Sequence, residues 1–266
     1  MTKIYAFVNQ KGGVGKTTSA ISLGAFLGQL GQRVLLVDLD PQANATSSLG
    51  IDKRTVKSGM YEVLIGGQPV GPTILHNPTY KLSVLPSSPA LAGAEIELIE
   101  LEQREHRLAI ALDGAAGRYD YVLIDCPPSL SLLTVNGLAA AKNGVVIPVQ
   151  CEYLALEGLG QLTQTIQRVR TSLFPDLTIR GVVMTMFDSR TRLSMDVVNE
   201  VRKFFPSQVF QTIIPRSVRL AEAPSFGMPI SAFAPESSAA IAYATLAREI
   251  LEGDGVHIPV MDQEGG

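Results

Sequence analysis

The chain contains no tryptophan, only two cysteines and only three histidines among its 266 residues. The cysteines, Cys126 and Cys151, lack CxxC spacing and cannot build a disulfide framework, so we interpret them as small buried hydrophobes. The scattered histidines show no zinc-ligand spacing. Long apolar runs are missing too: the uncharged stretch 126–141 contains two prolines and is too short to span a bilayer. Because no basic-then-apolar leader is visible, we expect a cytoplasmic protein.

Size and composition favour one large globular domain. The hydrophobic fraction of 46% and the charged fraction of 18% are typical of a folded protein. A chain of this length lies near the upper limit for a single hydrophobic core. We therefore expect one domain over residues 1–252, followed by a flexible tail over residues 253–266.

Apolar strands alternate with helical patterns along the whole chain. Strands are predicted at 4–8, 34–38, 82–85, 121–125, 144–149, 179–186 and 209–214. Helices are predicted at 19–27, 60–65, 90–113, 131–141, 155–173, 195–205 and 237–251. Nearly continuous Val/Ile/Leu strands indicate a mostly parallel sheet covered on both faces. The predicted fold is thus an α/β doubly wound sheet, mostly parallel and flanked by helices on both faces, with its ligand at the carboxyl ends of the strands.

A glycine-rich loop, KGGVGKTT over residues 11–18, follows the first strand and precedes the first helix. Strand, glycine-rich loop and helix in this order predict a sheet of the P-loop NTPase fold, in which backbone amides and the positive helix N-terminus hold phosphate oxygens. We expect Lys16 to reach the β- and γ-phosphates of ATP and the Thr17 hydroxyl to hold Mg²⁺. The alternative is a structural turn with two solvated lysines, which the flanking strand and helix disfavour. The expected ATP-binding residues here are Lys11, Gly12, Gly13, Val14, Gly15, Lys16, Thr17 and Thr18.

Two predicted strands end on acidic residues at the same edge of the sheet as this loop. The strand at 34–37 leads into Asp38 and Asp40, and the strand at 121–124 leads into Asp125. An acid after four apolar residues is a Walker B position, so we expect Asp125 to support Mg²⁺ through a water. The alternative for each acid is a cap of a loop or helix at a strand end. Three such acids in a chain with this loop favour the nucleotide site.

The loop carries one lysine more than the common P-loop pattern, Lys11. KGGVGKTT resembles the deviant Walker A motif of the ParA/MinD superfamily, and DLDPQ over 38–42 resembles the Walker A′ motif of ParA-type ATPases. The resemblance implies that Lys11 crosses a dimer interface to the phosphates bound by the other subunit. It also implies that Asp40 positions the attacking water and that Asp38 helps to order Mg²⁺. The implied catalytic residues are Asp40, Lys11 and Lys16.

A second resemblance concerns the segment IPRSVRLAEAPSFG over 214–227. It resembles the part of chromosomal ParA (Soj) proteins that borders the adenine. The resemblance implies base contacts by Pro215 and Ser217, although the family often has asparagine at the position of Ser217. The alternative, a proline-rich turn between a strand and a helix, explains the prolines but not the whole match.

Charge is distributed unevenly along the chain. Residues 160–220 contain nine basic and four acidic residues, a net of +5, whereas residues from 221 onward have a net of −6. Such asymmetry suggests that one face meets a polyanion, and DNA affinity without base readout depends on contacts to phosphates. The alternative is that each basic side chain is solvated or paired with an acid. The residues expected to contact DNA are Arg190, Lys203, Arg216 and Arg219.

Together these motifs make the chain resemble a ParA/Soj chromosome- or plasmid-partitioning ATPase. The resemblance implies a slow, switch-type ATPase whose ATP-dependent homodimer binds double-stranded DNA non-specifically and associates with the nucleoid. A ParB-type partner would stimulate hydrolysis and release.

Two alternative functions would each require a feature of their own, a membrane anchor or a pair of cluster-ligating cysteines. A MinD-like membrane-associated ATPase normally carries a basic amphipathic anchor, whereas residues 252–260 are acidic and broken by Pro259, so no membrane anchor is expected. A redox dimer like the nitrogenase iron protein needs two cysteines per subunit at a cluster interface, which Cys126 and Cys151, interpreted as buried hydrophobes, would not provide.

Overall fold

An eight-stranded sheet forms the centre of the structure, a computed structural model that describes residues 1–153 and 155–257. The strands are β1 (Lys3–Phe7), β2 (Val34–Asp38), β3 (Leu75–Asn77), β4 (Leu82–Leu85), β5 (Tyr121–Asp125), β6 (Val145–Gln150), β7 (Ile179–Phe187) and β8 (Val209–Pro215). Their order across the sheet is β3-β4-β2-β5-β1-β6-β7-β8. Every neighbouring pair is parallel except β3 and β4 at one edge. The predicted mostly parallel sheet is confirmed. The short strand β3 was not predicted, because it is largely exposed and has no apolar run.

Helices connect these strands within the described residues. They are α1 (Lys16–Gln29), α2 (Asn44–Ser48), α3 (Met60–Leu64), α4 (Val70–Thr73), α5 (Leu91–Glu97), α6 (Arg107–Asp113), α7 (Leu132–Ala140), α8 (Ala155–Ser172), α9 (Arg192–Phe204), α10 (Val218–Glu222), α11 (Ile230–Phe233) and α12 (Ser238–Gly253). Among the described residues, none of them combines the length and apolarity that crossing a membrane requires.

Alternation along the strands builds two hydrophobic cores, one on each face of the sheet. In β1, Ile4 and Ala6 join one core while Tyr5 and Phe7 join the other. Side chains of α7, α8 and α9 complete the first core, and side chains of α1 and α12 complete the second. Because successive strand residues point to opposite faces, a continuous apolar strand requires this double covering. The predicted doubly wound arrangement is therefore confirmed.

The single long helix predicted over 90–113 is wrong, because the chain breaks between α5 and α6. Gln103 in the break has a φ of 52°, in the left-handed region. Asn136 of α7, which is fully buried, donates to the Arg104 carbonyl at 2.7 Å and accepts from the Leu108 amide at 3.0 Å. This buried amide ties the end of the break and the start of α6 to a neighbouring helix. Helical periodicity contains no signal for such a tertiary contact.

The described residues continue past the predicted boundary at residue 252, and Asp254 contacts the sheet. The Asp254 side chain is 3% exposed and pairs with Arg180. It also accepts hydrogen bonds from the hydroxyls of Tyr5 at 2.7 Å and Tyr121 at 2.9 Å. Asp254 thus fastens the end of α12 to the sheet. The rest of the predicted tail, residues 258–266, lies outside the described residues.

Candidate nucleotide site

The glycine-rich loop lies between the end of β1 and the start of α1, as its pattern predicts. Gly13 has a φ of 76° and Gly15 a φ of 94°, a region where a side chain is strained. Gly15 is the N-cap residue of α1 and has no side chain to cap the helix, and the first turn of α1 contains no acidic residue. The positive end of the helix dipole is therefore available to an anion.

Lys16, the first residue of α1, is nearly buried. Lys16 is 7% exposed, and its Nζ donates a hydrogen bond to the Lys11 carbonyl at 3.3 Å. Burial lowers the pKa of Lys16, and the charges of Asp125 and Asp40 oppose that shift. A poorly hydrated ammonium in such surroundings interacts strongly with phosphate oxygens, because the local dielectric constant is low.

Lys11, the additional lysine, forms an ion pair with Glu152 within the same chain. Both side chains are about one-third exposed, at 39% and 33%. The Lys11 amide donates to the side-chain oxygen of Asn9 at 3.0 Å, which fixes the start of the loop. The single chain thus provides Lys11 with a carboxylate partner. Its contact with a second subunit remains a prediction.

Asp38 and Asp125 face each other at the carboxyl ends of β2 and β5. They are register partners on adjacent parallel strands, and both are fully buried. Burial raises the pKa of Asp125 well above its ordinary value, and the Asp38 charge adds to this, while Thr17 and Lys16 oppose it. Burial also raises the pKa of Asp38, to about 6, against the hydrogen bonds from Thr46. The sheet therefore brings together the two acids that the sequence placed at its edge.

The two carboxylates differ in their hydrogen-bond partners. Asp38 Oδ2 accepts from the Thr46 amide at 2.7 Å and from its hydroxyl at 2.6 Å, and Asp38 Oδ1 accepts from the Asp40 amide at 3.2 Å. Among the described residues, no donor meets full hydrogen-bond geometry at either oxygen of Asp125, although the neighbouring Thr17 hydroxyl lowers the pKa of Asp125 as a hydrogen-bond donor does. A buried carboxylate without donors is costly unless a cation or its water shell faces it.

This contrast bears on the predicted metal site. Asp125 and the Thr17 hydroxyl fit a hydrated Mg²⁺. Asp38 Oδ1 accepts one hydrogen bond and retains acceptor capacity for a water of such an ion, so its role in ordering Mg²⁺ remains a prediction. The described residues contain no cluster of three or more His, Cys, Asp or Glu side chains suited to a metal. Mg²⁺ uses few protein ligands and keeps waters and phosphates in its shell.

Asp40 lies at the same edge, two residues beyond the end of β2. It is 6% exposed, and its carboxylate accepts from the Gln42 amide at 2.8 Å. Its carbonyl accepts from the Ser87 hydroxyl at 2.8 Å. The backbone of Asp40 is thus held on both sides, which gives its carboxylate a defined position.

A cavity of about 270 Å³ connects the phosphate loop to the predicted base-binding segment. Gly15 and Thr18 line it on the loop side, and Pro215 and Ser217 line it on the other. Thr185 of β7 also lines this cavity and donates through its hydroxyl to the Val14 carbonyl at 2.8 Å. The structure therefore places Pro215 and Ser217 where a base attached to loop-bound phosphates could lie.

Most of the predicted DNA-contacting residues are paired with acids. Arg190 makes a bidentate pair with Asp188 at 2.9 and 2.7 Å, which lowers the pKa of that carboxyl. Lys203 pairs with Glu200 at 2.6 Å and Arg219 pairs with Glu222 at 3.0 Å. Arg216 is exposed and forms no ion pair with any described residue.

The fold divides this set of four by position. The Arg216 amide donates to the Phe187 carbonyl at 2.9 Å, so the segments after β7 and β8, which carry Arg190, Arg216 and Arg219, are adjacent. Lys203 lies in the last turn of α9. Because β7 and β8 are parallel, α9 leads from the carboxyl end of β7 back to the amino end of β8. Its 13 residues span about 20 Å. Lys203 is therefore separated from the other three.

The two cysteines lie away from the surface. Cys126 is fully buried and Cys151 is 7% exposed. Burial raises the pKa of both thiols, that of Cys151 to about 12. The interpretation of both as small buried residues is confirmed, and the iron–sulfur alternative loses the exposed thiolates that it needs.

Sequence patterns did not predict three hydroxyl residues around the site. Thr46 and Ser87 contact the Asp38–Asp40 segment, and Thr185 contacts the phosphate loop. None of them lies in a recognisable motif. Only the strand order, which puts β4 beside β2 and carries β7 close to the loop, makes them part of the site.

Comparison with known proteins agrees with this geometry. A family model described as "AAA domain" matches residues 2–179. The chain is 52% identical to the sporulation initiation inhibitor protein Soj of Bacillus subtilis, with 94% of this chain and 98% of that protein covered. It is 49% identical to the chromosome-partitioning ATPase Soj of Treponema pallidum, with 96% and 99% covered.

Two solved structures with bound nucleotide are also similar to this chain. A Mycobacterium smegmatis structure described as cobyrinic acid a,c-diamide synthase with bound ADP and magnesium has a TM-score of 0.83 at 40% identity, with 97% and 98% covered. The septum site-determining protein MinD of Pyrococcus horikoshii, complexed with Mg-ADP, has a TM-score of 0.76 at 25% identity, with 96% and 98% covered. On the strength of the Soj relatives, the chain belongs to the ParA/Soj family of chromosome-partitioning ATPases.

Proposed function

We propose that this chain is a DNA-segregation switch, in which an ATP-bound homodimer binds double-stranded DNA without sequence preference and hydrolysis ends the binding. The observation that carries the proposal is the convergence at one sheet edge of a free helix N-terminus, the buried Lys16 and three buried acids. The Treponema pallidum relative, at 49% identity, is named for chromosome partitioning, whereas the MinD structure shares 25%. Partitioning is therefore favoured over a MinD-like membrane role.

Nucleotide binding uses groups that the fold already holds in place. The loop over 11–18 and the start of α1 would hold the phosphates, with Lys16 as the main charged donor. The base would enter the cavity beside Pro215 and Ser217. Thr17 and Asp125 would hold Mg²⁺, Asp125 through a water. Mg²⁺, when bound, neutralises phosphate charge and orders those waters.

Hydrolysis would depend on Asp40. Phosphoryl transfer requires an oriented nucleophile and positioned charge rather than covalent help from the protein. The Asp40 carboxylate accepts one backbone amide hydrogen bond and retains acceptor capacity for a water. A single orienting acid without a strong base agrees with slow turnover, which suits a switch.

Dimer formation would use Lys11. In the single chain its partner is Glu152. A partly exposed pair of this kind contributes about 0–1 kcal/mol, so exchanging it for phosphates of the other subunit costs little. The gain is a charge-assisted contact that exists only when nucleotide is bound. ATP occupancy and dimer formation would thereby be coupled.

DNA would bind to the surface formed by Arg190, Arg216 and Arg219. Of these residues, Arg216 lines the base cavity, because it follows Pro215 directly. Contacts of this kind release counterions and do not read sequence. A ParB-type partner would stimulate hydrolysis and release the protein, giving a cytoplasmic, nucleoid-associated cycle.

The proposal is tested by measuring DNA binding with ATP, with ADP and without nucleotide, each at two salt concentrations. We expect tight, salt-sensitive binding with ATP alone. Equal binding in all three states would contradict the switch. Binding to anionic lipid vesicles with ATP, and none to DNA, would support the MinD-like alternative.

A further inference from the structure

Four residues form a closed ring of hydrogen bonds under the Asp38–Asp40 segment. The Thr46 hydroxyl donates to Asp38 Oδ2 at 2.6 Å, and the Ser87 amide donates to the Thr46 hydroxyl oxygen at 2.9 Å. The Ser87 hydroxyl donates to the Asp40 carbonyl at 2.8 Å, and the Asp40 amide donates to Asp38 Oδ1 at 3.2 Å. The ring thus returns to the carboxylate where it began.

The ring is shielded from water. Asp38, Thr46 and Ser87 are fully buried, and Asp40 is 6% exposed. Hydrogen bonds in such surroundings are strong, and the loss of one leaves a buried group without its partner. A buried polar network that is fully paired holds its members in one arrangement.

The ring also connects separate parts of the chain. Ser87 follows β4, Thr46 lies in α2, and Asp38 ends β2. Because β4 pairs with β2 in register, the end of β4 is a fixed support for the loop that carries Asp40. The Asp40 backbone is therefore held at both its amide and its carbonyl by groups outside the phosphate loop.

We propose that Thr46 and Ser87 are positioning residues for hydrolysis, which hold Asp40 in the place from which its carboxylate orients the attacking water. Among the described residues, neither side chain hydrogen-bonds to the phosphate loop and neither lines the base cavity, so nucleotide binding should not depend on them. This inference rests on the proposed role of Asp40. A small displacement of an orienting group is enough to slow a reaction strongly.

The test compares Thr46→Val with Thr46→Ser. Valine keeps the shape of threonine but removes the hydroxyl, whereas serine keeps the hydroxyl. We expect Thr46→Val to slow single-turnover ATP hydrolysis roughly 10- to 100-fold while its Kd for a fluorescent ATP analogue stays within about twofold of the wild-type value. Thr46→Ser should restore hydrolysis. Equally slow valine and serine variants, or a loss of rate matched by a loss of affinity, would overturn the proposal.

Ser87→Ala keeps the question open to measurement if Thr46→Val does not fold. The Asp40 carbonyl would retain the Ala43 amide at 2.8 Å, so the variant leaves no backbone group unpaired there. We expect slower hydrolysis with normal ATP affinity and a normal Tm. The matched control is Ser83→Ala: Ser83 lies in β4, is 6% exposed and bonds His76 at 3.1 Å outside the ring. Wild-type hydrolysis by Ser87→Ala would contradict the inference.

Asp40→Ala separates the inference from the function on which it rests. If Asp40→Ala hydrolyses ATP at the wild-type rate, the proposed function of the site fails. If Asp40→Ala is inactive while Thr46→Val and Ser87→Ala are fully active, only the positioning role fails.

Discussion

The nucleotide edge and the basic surface contain the same kinds of charged groups in opposite arrangements. Lys16, Asp38 and Asp125 are all less than a tenth exposed and are placed by strand register and helix start. Arg190 and Arg219 have side chains that are 83% and 62% exposed and pair with acids two or three residues away. Charges in the interior interact strongly, whereas exposed charges are screened by water and salt. Changes at the edge should therefore abolish a step, and changes on the surface should give graded losses.

The largest effect is expected at Asp40. Asp40→Ala should slow hydrolysis roughly 100- to 1000-fold, because the attacking water loses the group that orients it. ATP affinity and ATP-dependent dimer formation should remain. Single-turnover hydrolysis and a fluorescent ATP analogue measure the two separately. Asp52→Ala, at an exposed surface acid, is the control, and wild-type turnover by Asp40→Ala would remove this residue from its role.

Lys16→Ala should act on binding rather than on the chemical step alone. Loss of a charge-assisted contact to phosphate should weaken ATP affinity roughly 10- to 100-fold. Titration with the fluorescent analogue checks this, with Lys142→Ala, whose side chain pairs with Asp113 at the surface, as the control. Unchanged affinity would mean that the buried ammonium does not face the nucleotide.

The basic surface should respond by small steps. Arg216→Ala or Arg219→Ala should each weaken DNA binding a few-fold and reduce the salt slope by about 1, without changing dimer formation. Lys203→Ala should have less effect, because Lys203 lies at the end of α9 that is near the amino ends of the strands, away from the three arginines. DNA titrations at several salt concentrations measure both quantities. Slopes that are equal for Lys203→Ala and Arg216→Ala would place the DNA elsewhere.

The smallest effect concerns stability without nucleotide. Asp125→Asn removes a buried carboxylate at which no described donor, the neighbouring Thr17 hydroxyl included, meets full hydrogen-bond geometry. We expect the Tm to rise by about 3 °C in the presence of EDTA, while Mg²⁺-dependent hydrolysis falls. Asp113→Asn, at the surface, should leave the Tm unchanged. A lower Tm for Asp125→Asn would show that its carboxylate is stabilised in a way that the described contacts do not include.

The same contrast explains what the sequence could predict. Lys16, Asp38 and Asp125 follow directly from strand ends and a helix start, so local patterns place them at one edge. Thr46 and Ser87 come from segments far from these motifs, and only the pairing of β4 with β2 brings them into the site. The ion pairs of Arg190 and Lys203 join residues only two or three positions apart, so their spacing is visible in the sequence. The break at Gln103 depends on the tertiary contacts of Asn136, which have no periodic signal.

The most direct test of the switch is the molar mass of the Asp40→Ala variant in solution, measured by light scattering with ATP and with ADP. We expect about twice the chain mass of 28.5 kDa with ATP and the single-chain mass with ADP. Adding Lys11→Ala should give the single-chain mass even with ATP, while the fluorescent ATP analogue still binds. An ATP-dependent dimer that persists without Lys11 would contradict the claim that this lysine couples nucleotide to assembly.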